Sequence, residues 1–227
     1  MLRSRINAIM AEADETIRRF GFVLPPLAYW TPEEFQRQQG RGRIVSARMG
    51  WDITDYGAGN FDRMGLFLFT LRNGSLNELR RGGGMCYAEK LLISRQDQLS
   101  PMHTHIDKVE DIINRGGATL AVQLYGSGMA GGFDDNIGGI VERDGIAHDF
   151  APGEVLRLEP GQSVTLRPGD WHAFWGEGGD VLIGEVSTVN NDLTDNIFRD
   201  SIGRFAAVEE DVAPMHLLVS DYDTWLR

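Results

Sequence analysis

The stretch Met102-His103-Thr104-His105-Ile106-Asp107-Lys108-Val109-Glu110 carries two of the five histidines, one residue apart, and then a carboxylate five residues further on. A strand sends successive side chains to opposite faces, so His103 and His105 share one face. Two imidazoles on one face can hold one metal ion. Glu110 has the wrong parity to join them along an unbroken strand. A turn or bulge at Ile106–Val109 must therefore bring it back. A further ligand has to come from elsewhere, and His172 in Pro168-Gly169-Asp170-Trp171-His172 is the candidate. A lone His-x-His is as often a pair of ordinary histidines. With Glu110 and His172 added, a metal site of mixed nitrogen and oxygen ligands is the better reading.

Around this stretch the chain reads as short strands between glycines. Leu66–Arg72, Tyr87–Arg95, Met102–His105, Ala118–Tyr125, Val155–Leu158, Gln162–Leu166, Ala173–Trp175 and Val181–Val186 are apolar or alternating runs. Turn formers separate them, and Asn73-Gly74 is a hairpin signal. Ile44–Met49 comes before Gly50–Gly57, which reads as a loop. Many short strands with closely spaced turns predict a mainly β protein, a sandwich or barrel. Upstream, Ile6, Ile9, Met10, Ala13, Ile17 and Phe20 predict a helix over residues 4–20 that Gly21 closes. Thr31-Pro32-Glu33-Glu34 starts a second, short helix with an N-cap and a Pro at the first helical position. Both should pack outside the barrel. A third helix is expected near Asp195–Phe205 and a strand at His216–Ser220. One domain covers 1–227: a helical arm (1–42), the barrel (43–189) and a helix/strand tail (190–227).

Composition narrows the partners. A chain of 227 residues with 42% hydrophobic and 24% charged residues fits a soluble globular protein. The net charge of −11 argues against nucleic acid and anionic membranes. Cys86, the single cysteine, rules out an internal disulfide, is expected in the core or a strand, and points to a reducing, cytoplasmic setting. Arg3, Arg5, Glu12, Asp14 and Glu15 interrupt any apolar leader. No stretch approaches the length of a membrane-spanning helix.

The motifs resemble those of the cupin superfamily. The first cupin motif runs Gly, five residues, His-x-His, three or four residues, Glu, six residues, Gly, and His103, His105, Glu110 and Gly117 fit it. Asp97 stands at the leading Gly, so the turn there must form differently. In the second motif Pro168-Gly169 and His172 fit, while Gly176 replaces the usual Asn. Within that superfamily the chain is similar to the D-lyxose isomerases over nearly its whole length. The segments that carry this are Leu24-Pro25-Pro26, Trp30-Thr31-Pro32-Glu33-Glu34, Gly50-Trp51-Asp52-Ile53-Thr54-Asp55 and Leu68-Phe69-Thr70-Leu71-Arg72-Asn73-Gly74. Pro101-Met102-His103-Thr104-His105, Glu110-Asp111-Ile112-Ile113-Asn114-Arg115-Gly116-Gly117 and Gly184-Glu185-Val186-Ser187 add to it. The resemblance implies a cupin-type jelly-roll barrel and a metal-dependent aldose–ketose isomerase, usually manganese-loaded. It implies D-lyxose to D-xylulose and often D-mannose to D-fructose, and a homodimer.

The residues themselves suggest roles. Three His and one Glu without thiolate suit manganese, iron, cobalt, nickel or zinc. A turn at Gln96–Asp97 sets Lys90 opposite His103, inside the cavity, although most lysines are solvated. A turn at Gly176–Gly179 sets Glu185 opposite His172 in the same way. Glu185 then either shuttles a proton between C1 and C2 or orients a His ligand. Lys108 either neutralises an enediolate or lies at the rim. Asp192 and Asp195 can bind sugar hydroxyls or simply form turns. Trp51 can offer an apolar face to a sugar, although core packing is the commoner role of Trp, and Arg204, Glu209 and Glu210 are weaker candidates. The expected reaction passes through a cis-enediol, with Glu185 as the leading acid/base group. A cupin dioxygenase using iron and a non-enzymatic sugar-binding cupin are the competing readings.

Overall fold

The computed structural model describes residues 1–226. Helix α1 (Arg3–Arg19) forms where apolar residues recur at helical spacing, and it buries Ile6, Ile9, Met10, Ala13 and Ile17 against the sheet. Each large side chain so buried stabilises by about 1.5–3 kcal/mol. Gly21, with φ 73°, turns the chain out of the helix. After a 3₁₀ turn at Pro26–Tyr29, helix α2 (Pro32–Arg37) opens with a reciprocal cap. The Glu34 amide donates to Thr31 Oγ1, and the Thr31 amide donates to Glu34 Oε2. The next segment reverses the sequence expectation. Gly42–Ser46 is helix α3, and the Gly50–Thr54 stretch read as a loop is strand β1. Trp51 and Ile53 face α1, whereas Asp52 and Thr54 alternate to the other side, and this two-residue period outweighs the local turn formers.

The strands that follow are β2 (Leu66–Asn73), β3 (Tyr87–Ser94), β4 (Ser100–His105), β5 (Glu110–Tyr125), β6 (Gly139–Arg143), β7 (Ile146–Phe150), β8 (Val155–Leu158), β9 (Ser163–Leu166), β10 (Trp171–Thr188) and β11 (Asn196–Phe198). Two long strands form the spine. β10 pairs β5 antiparallel from Trp171–Tyr125 to Ser187–Glu110. On its other edge β10 pairs β4 at its start and β3 at its end, so β3 and β4 lie one after the other along it. β5 carries β9 and β8 on its free edge, and β2 and β1 extend beyond β3. The sheet wraps into a jelly-roll barrel.

Several expectations change. Ala173–Trp175 and Val181–Val186 are one strand, not two strands about a turn, and β5 begins at Glu110, not Ala118. Asn73-Gly74 is no hairpin. Helix α4 (Leu76–Arg80) intervenes, and the Asn73 amide is buried, donating to Ala47 O and Asn190 O. The tail holds β11 where a helix was expected. Leu218 alone bridges Trp51 where a strand was expected, before the short helix α5 (Tyr222–Trp225). Cys86 is exposed rather than in the core. Asp97 takes the left-handed conformation itself (φ 55°), which Asp tolerates better than most residues. Among the described residues no helix is long and apolar enough to cross a membrane.

Two apolar layers flank the sheet. Leu66, Leu68, Leu92, Ile112, Leu120 and Phe174 fill the barrel interior. Phe67, Phe69, Leu91, Ile93 and Leu182 pack outward beneath α1. The tail is locked to α1 by Arg3, whose fully buried guanidinium donates to Asp221 Oδ1 and Oδ2, both at 2.9 Å, and to Glu210. Replacing Arg3 by Met strands the buried Asp221 carboxylate. We expect Arg3→Met to lower unfolding stability by about 3 kcal/mol. Denaturant titration checks this, and an unchanged midpoint would exclude the lock.

Candidate active site

His103, His105, Glu110 and His172 converge in the barrel, with one ligand atom from each lying within 4.8 Å of the others. His103 and His172 are cross-strand partners on β4 and β10. The Ile106–Val109 loop returns the chain so that Glu110 opens β5 beside them. Backbone carbonyls set the tautomers. His103 Nδ1 faces Pro101 O at 2.8 Å and His172 Nδ1 faces Asp170 O at 3.0 Å, which leaves each Nε2 with a free lone pair. Asp195 Oδ2 stands 3.4 Å from His105 Nδ1, and His105 Nε2 faces Glu110 Oε1 at 3.0 Å. Burial, reinforced by His172 and His105, holds His103 well below the usual imidazole range and therefore neutral. Burial alone would raise the Glu110 carboxyl. Lys108 and then His105 outweigh it and hold Glu110 well below its ordinary value. His172 Nε2 is buried without a hydrogen-bond partner among the described residues. The neutral His103 imidazole, an ionised Glu110 carboxylate and this unmet acceptor fit a divalent ion.

Beside the cluster lies a small cavity that His103, His105 and Glu110 share with Lys90, Lys108, Glu185, Asp192 and Arg204. Its charged groups form an alternating row. Lys108 donates to Glu110 Oε2 and, at 3.0 Å, to Glu185 Oε1. Lys90 reaches the same Glu185 oxygen at 3.1 Å and Asp192 Oδ1 at 3.4 Å. Arg204 continues the row, 3.5 Å from Asp192 and 2.7 Å from Asp52. Burial opposes charge on Lys108, but Glu110 and Glu185 raise its pKa above the usual lysine value. Burial likewise opposes ionisation of Asp192, yet Lys90 and Arg204 hold it below the carboxylate range. Both groups are charged. Tyr56, pushed up to about 12 by burial, remains a phenol 3.1 Å from Ser100 Oγ.

Lys90 and Glu185 enter this cavity by a route other than the two expected hairpins. β3 and β4 are not paired, and β10 does not turn back at Gly176–Gly179. Lys90 and Glu185 are instead each other's cross-strand partners. His172 and Glu185 have opposite parity on β10. The irregular register between Glu177 and Val181 restores a common face. Gly117 faces this irregularity at φ 104°, and a Cβ there would stand 2.2 Å from Asp180 O.

Other candidates are placed differently. Lys108 is buried, not at the rim. Asp195 lies behind His105, 3.4 Å from its Nδ1, and accepts from the Asp107 amide at 2.8 Å, so it does not line the cavity. Trp51 faces away from the cavity. Its Nε1 donates to Ala28 O at 2.7 Å and its ring stacks on His216 in the core under α1. Its neighbour Asp52 faces the cavity side and was missed. The Trp-Asp-Ile-Thr alternation was the signal for it. Glu210 serves Arg3 instead.

Known proteins place this architecture. The L-ribose isomerase of Acinetobacter sp. DL28, solved with L-ribose, superposes with a TM-score of 0.61 at 16% identity, over 92% of this chain and 98% of that one. The L-ribose isomerase of Cellulomonas parahominis, solved with L-psicose, gives 0.59 at 16% identity, over 88% and 95%. At that identity the likeness is one of fold, a cupin-like barrel. The family model described as D-lyxose isomerase matches residues 1–222. A D-lyxose/D-mannose isomerase of Serratia proteamaculans is 42% identical over 226 residues, 98% of each chain. Its counterpart from Escherichia coli O157:H7 is 40% identical over 230 residues, again 98% of each. The chain belongs to the D-lyxose isomerase family and is a sugar isomerase.

Two outcomes follow from this geometry. His105→Ala should lose most bound divalent metal after dialysis against a weak chelator, read by elemental analysis, while a wild-type metal content would remove His105 from the ligand set. In metal-free protein, stability should fall on acidification. His103 is depressed in the folded state, so the unfolded chain binds the extra proton as pH drops below the usual 6.5. Glu110 adds to the loss below 4.5. Urea midpoints lower at pH 5.5 than at 7.5 are expected, and a higher midpoint at 5.5 would contradict the assignment.

Proposed function

We propose that this protein interconverts D-lyxose with D-xylulose, and D-mannose with D-fructose, with one divalent metal and a cis-enediol intermediate. The observation that carries this reading is Glu185, a buried carboxylate fixed between two lysines in the cavity that the His/Glu cluster opens onto. The Serratia and Escherichia relatives are D-lyxose/D-mannose isomerases, which supports the choice of sugars. His103, His105, Glu110 and His172 would hold the metal, manganese in our assignment, and it would polarise a sugar carbonyl and the adjacent hydroxyl.

The residues of the chain do the rest. Aldose–ketose conversion moves one hydrogen from C2 to C1 and one between the two oxygens. Glu185 takes the C2 proton and returns it to C1. A single carboxylate can serve both carbons, because in a cis-enediol they present one face to it. Lys108 stays protonated between Glu110 and Glu185, so its ammonium is in place to hold the oxygen that becomes negative. Lys90 fixes the Glu185 carboxylate from the opposite side and ties it to Asp192. Asp192, kept ionised, accepts a hydrogen bond from a sugar hydroxyl. The barrel wall shields these charges from water, which strengthens each interaction.

Glu185→Gln tests the assignment. The amide keeps the shape but cannot take the proton. With metal content unchanged, kcat on D-lyxose should drop by about 10²–10⁴-fold. D-Lyxose deuterated at C2 should show a primary isotope effect in the wild type where proton removal limits turnover. A Glu185→Gln protein with full turnover would make Glu185 an orienting group only and send the search for the base elsewhere.

A further inference from the structure

Asn73 belongs to a sequence motif that the reaction does not use. It closes β2, and the Asn73-Gly74 pair makes no hairpin. Its carboxamide is buried and meets three backbone groups. Oδ1 accepts from the Asn190 amide at 3.1 Å, and Nδ2 donates to Asn190 O at 2.9 Å and to Ala47 O at 3.1 Å. Strand β10 ends at Thr188, so its ladder does not reach Asn190. The Asn73 side chain supplies a rung in its place, with one acceptor and one donor for the two backbone groups of a single residue. Buried backbone groups need such partners. A carboxamide offers donor and acceptor side by side in one plane, whereas a carboxylate would turn an acceptor toward two carbonyls.

Asn190 leads straight into the proposed site. Two residues on, Asp192 Oδ1 stands 3.4 Å from Lys90 and 3.5 Å from Arg204, and Lys90 in turn holds Glu185 at 3.1 Å. Between Asn190 and Asp195 the chain folds on itself. The Thr194 and Asp195 amides both donate to Asn191 O, and the Leu193 amide donates to Asn191 Oδ1. The far end of this turn is tied to the barrel where the Ile106 amide donates to Asp195 O at 3.0 Å. The tie at its near end is Asn73. A turn bonded to itself moves as a unit, so cutting the near tie lets it carry Asp192 away from Lys90. We infer that Asn73 is a positioning residue: by clamping the Asn190 backbone it sets Asp192 against Lys90 and Arg204 before a sugar arrives. Asn73 itself does not line the barrel cavity. The inference rests on the isomerase reading above, which gives Asp192 its sugar hydroxyl.

The test is a double-variant cycle on the metal-loaded protein with D-lyxose. Asn73→Ala should raise KM by about 10-fold and leave kcat within a few-fold, the size expected for loosening one hydrogen bond to a charged group. In an Asp192→Asn background the same substitution should change KM by less than about twofold, since its effect passes through Asp192. A merely structural role would lower the unfolding midpoint and leave KM unchanged, or would multiply the KM effect of Asp192→Asn, and either result overturns the inference. Asn73→Ala leaves three backbone groups unpaired and can misfold, so hydrogen exchange on the wild type supplies a check that needs no variant. The Asn190 amide, although outside any strand, should exchange at least about 100-fold more slowly than an unstructured one. Exchange at the unstructured rate would overturn the clamp. In folded Asn73→Ala, peptides covering residues 189–195 should exchange about 10-fold faster and those of β5 at the wild-type rate. If no ketose forms but residues 189–195 still loosen, the isomerase reading fails and the clamp stands. If ketose forms and Asn73→Ala keeps the wild-type KM, the isomerase reading stands and the positioning role fails.

Discussion

The site depends on a change of parity along one strand. His172 and Glu185 both sit on β10, yet an odd interval separates them, and an unbroken strand would send them to opposite faces. The irregularity between Glu177 and Val181 shifts the register by one face, so Phe174, Val181, Ile183 and Glu185 all point inward. Leu182 between them packs outward beneath α1. β10 therefore carries a residue of the His/Glu cluster at one end and the proposed acid/base group at the other. The strands on its edge complete each: β4 brings His103 opposite His172, and β3 brings Lys90 opposite Glu185.

That arrangement buries an unusual amount of charge. Lys90, Lys108, Glu110 and Glu185 are each at most 4% exposed. Isolated ions in such a place would be costly, and pairing them one after another offsets much of the desolvation. The same pairing restricts motion. Lys90 and Lys108 both contact Glu185 Oε1, so the carboxylate is positioned before any sugar arrives. Pre-positioned charge in a dry wall is what proton transfer next to a carbonyl needs. The backbone carbonyls behind His103 and His172 do the equivalent for those two imidazoles.

Much of this was legible in the sequence, and the failures have physical causes. The His-x-His spacing, the returning Glu110 and the Pro-Gly turn before His172 are local, and the structure gathers all four residues. The helix at the N-terminus and the cap at Thr31 are equally local. Lys90 and Glu185 were placed inside for the wrong reason. Symmetry about a nearby turn assumes a hairpin, whereas β3 and β10 pair across a long loop of chain. Strand pairing at that separation leaves no local mark. The strand Gly50–Thr54 was misread as a loop because Gly50 and Asp55 looked like loop signals, and the alternation between them was too short to compete. The tail was misread for a similar reason. Asn196–Phe198 is held as a strand by the edge of β4, not by its own sequence.

The central claim is that proton transfer at C1 and C2 takes place in this barrel under metal control. The direct measurement is the reaction of D-lyxose with the manganese-loaded and the chelator-stripped protein in deuterated water, followed by proton NMR. The loaded protein should form D-xylulose with deuterium appearing at C1 as the base exchanges its proton with solvent, and the stripped protein should form none. Equal ketose formation by the stripped protein, or no ketose from the loaded one, would contradict the account.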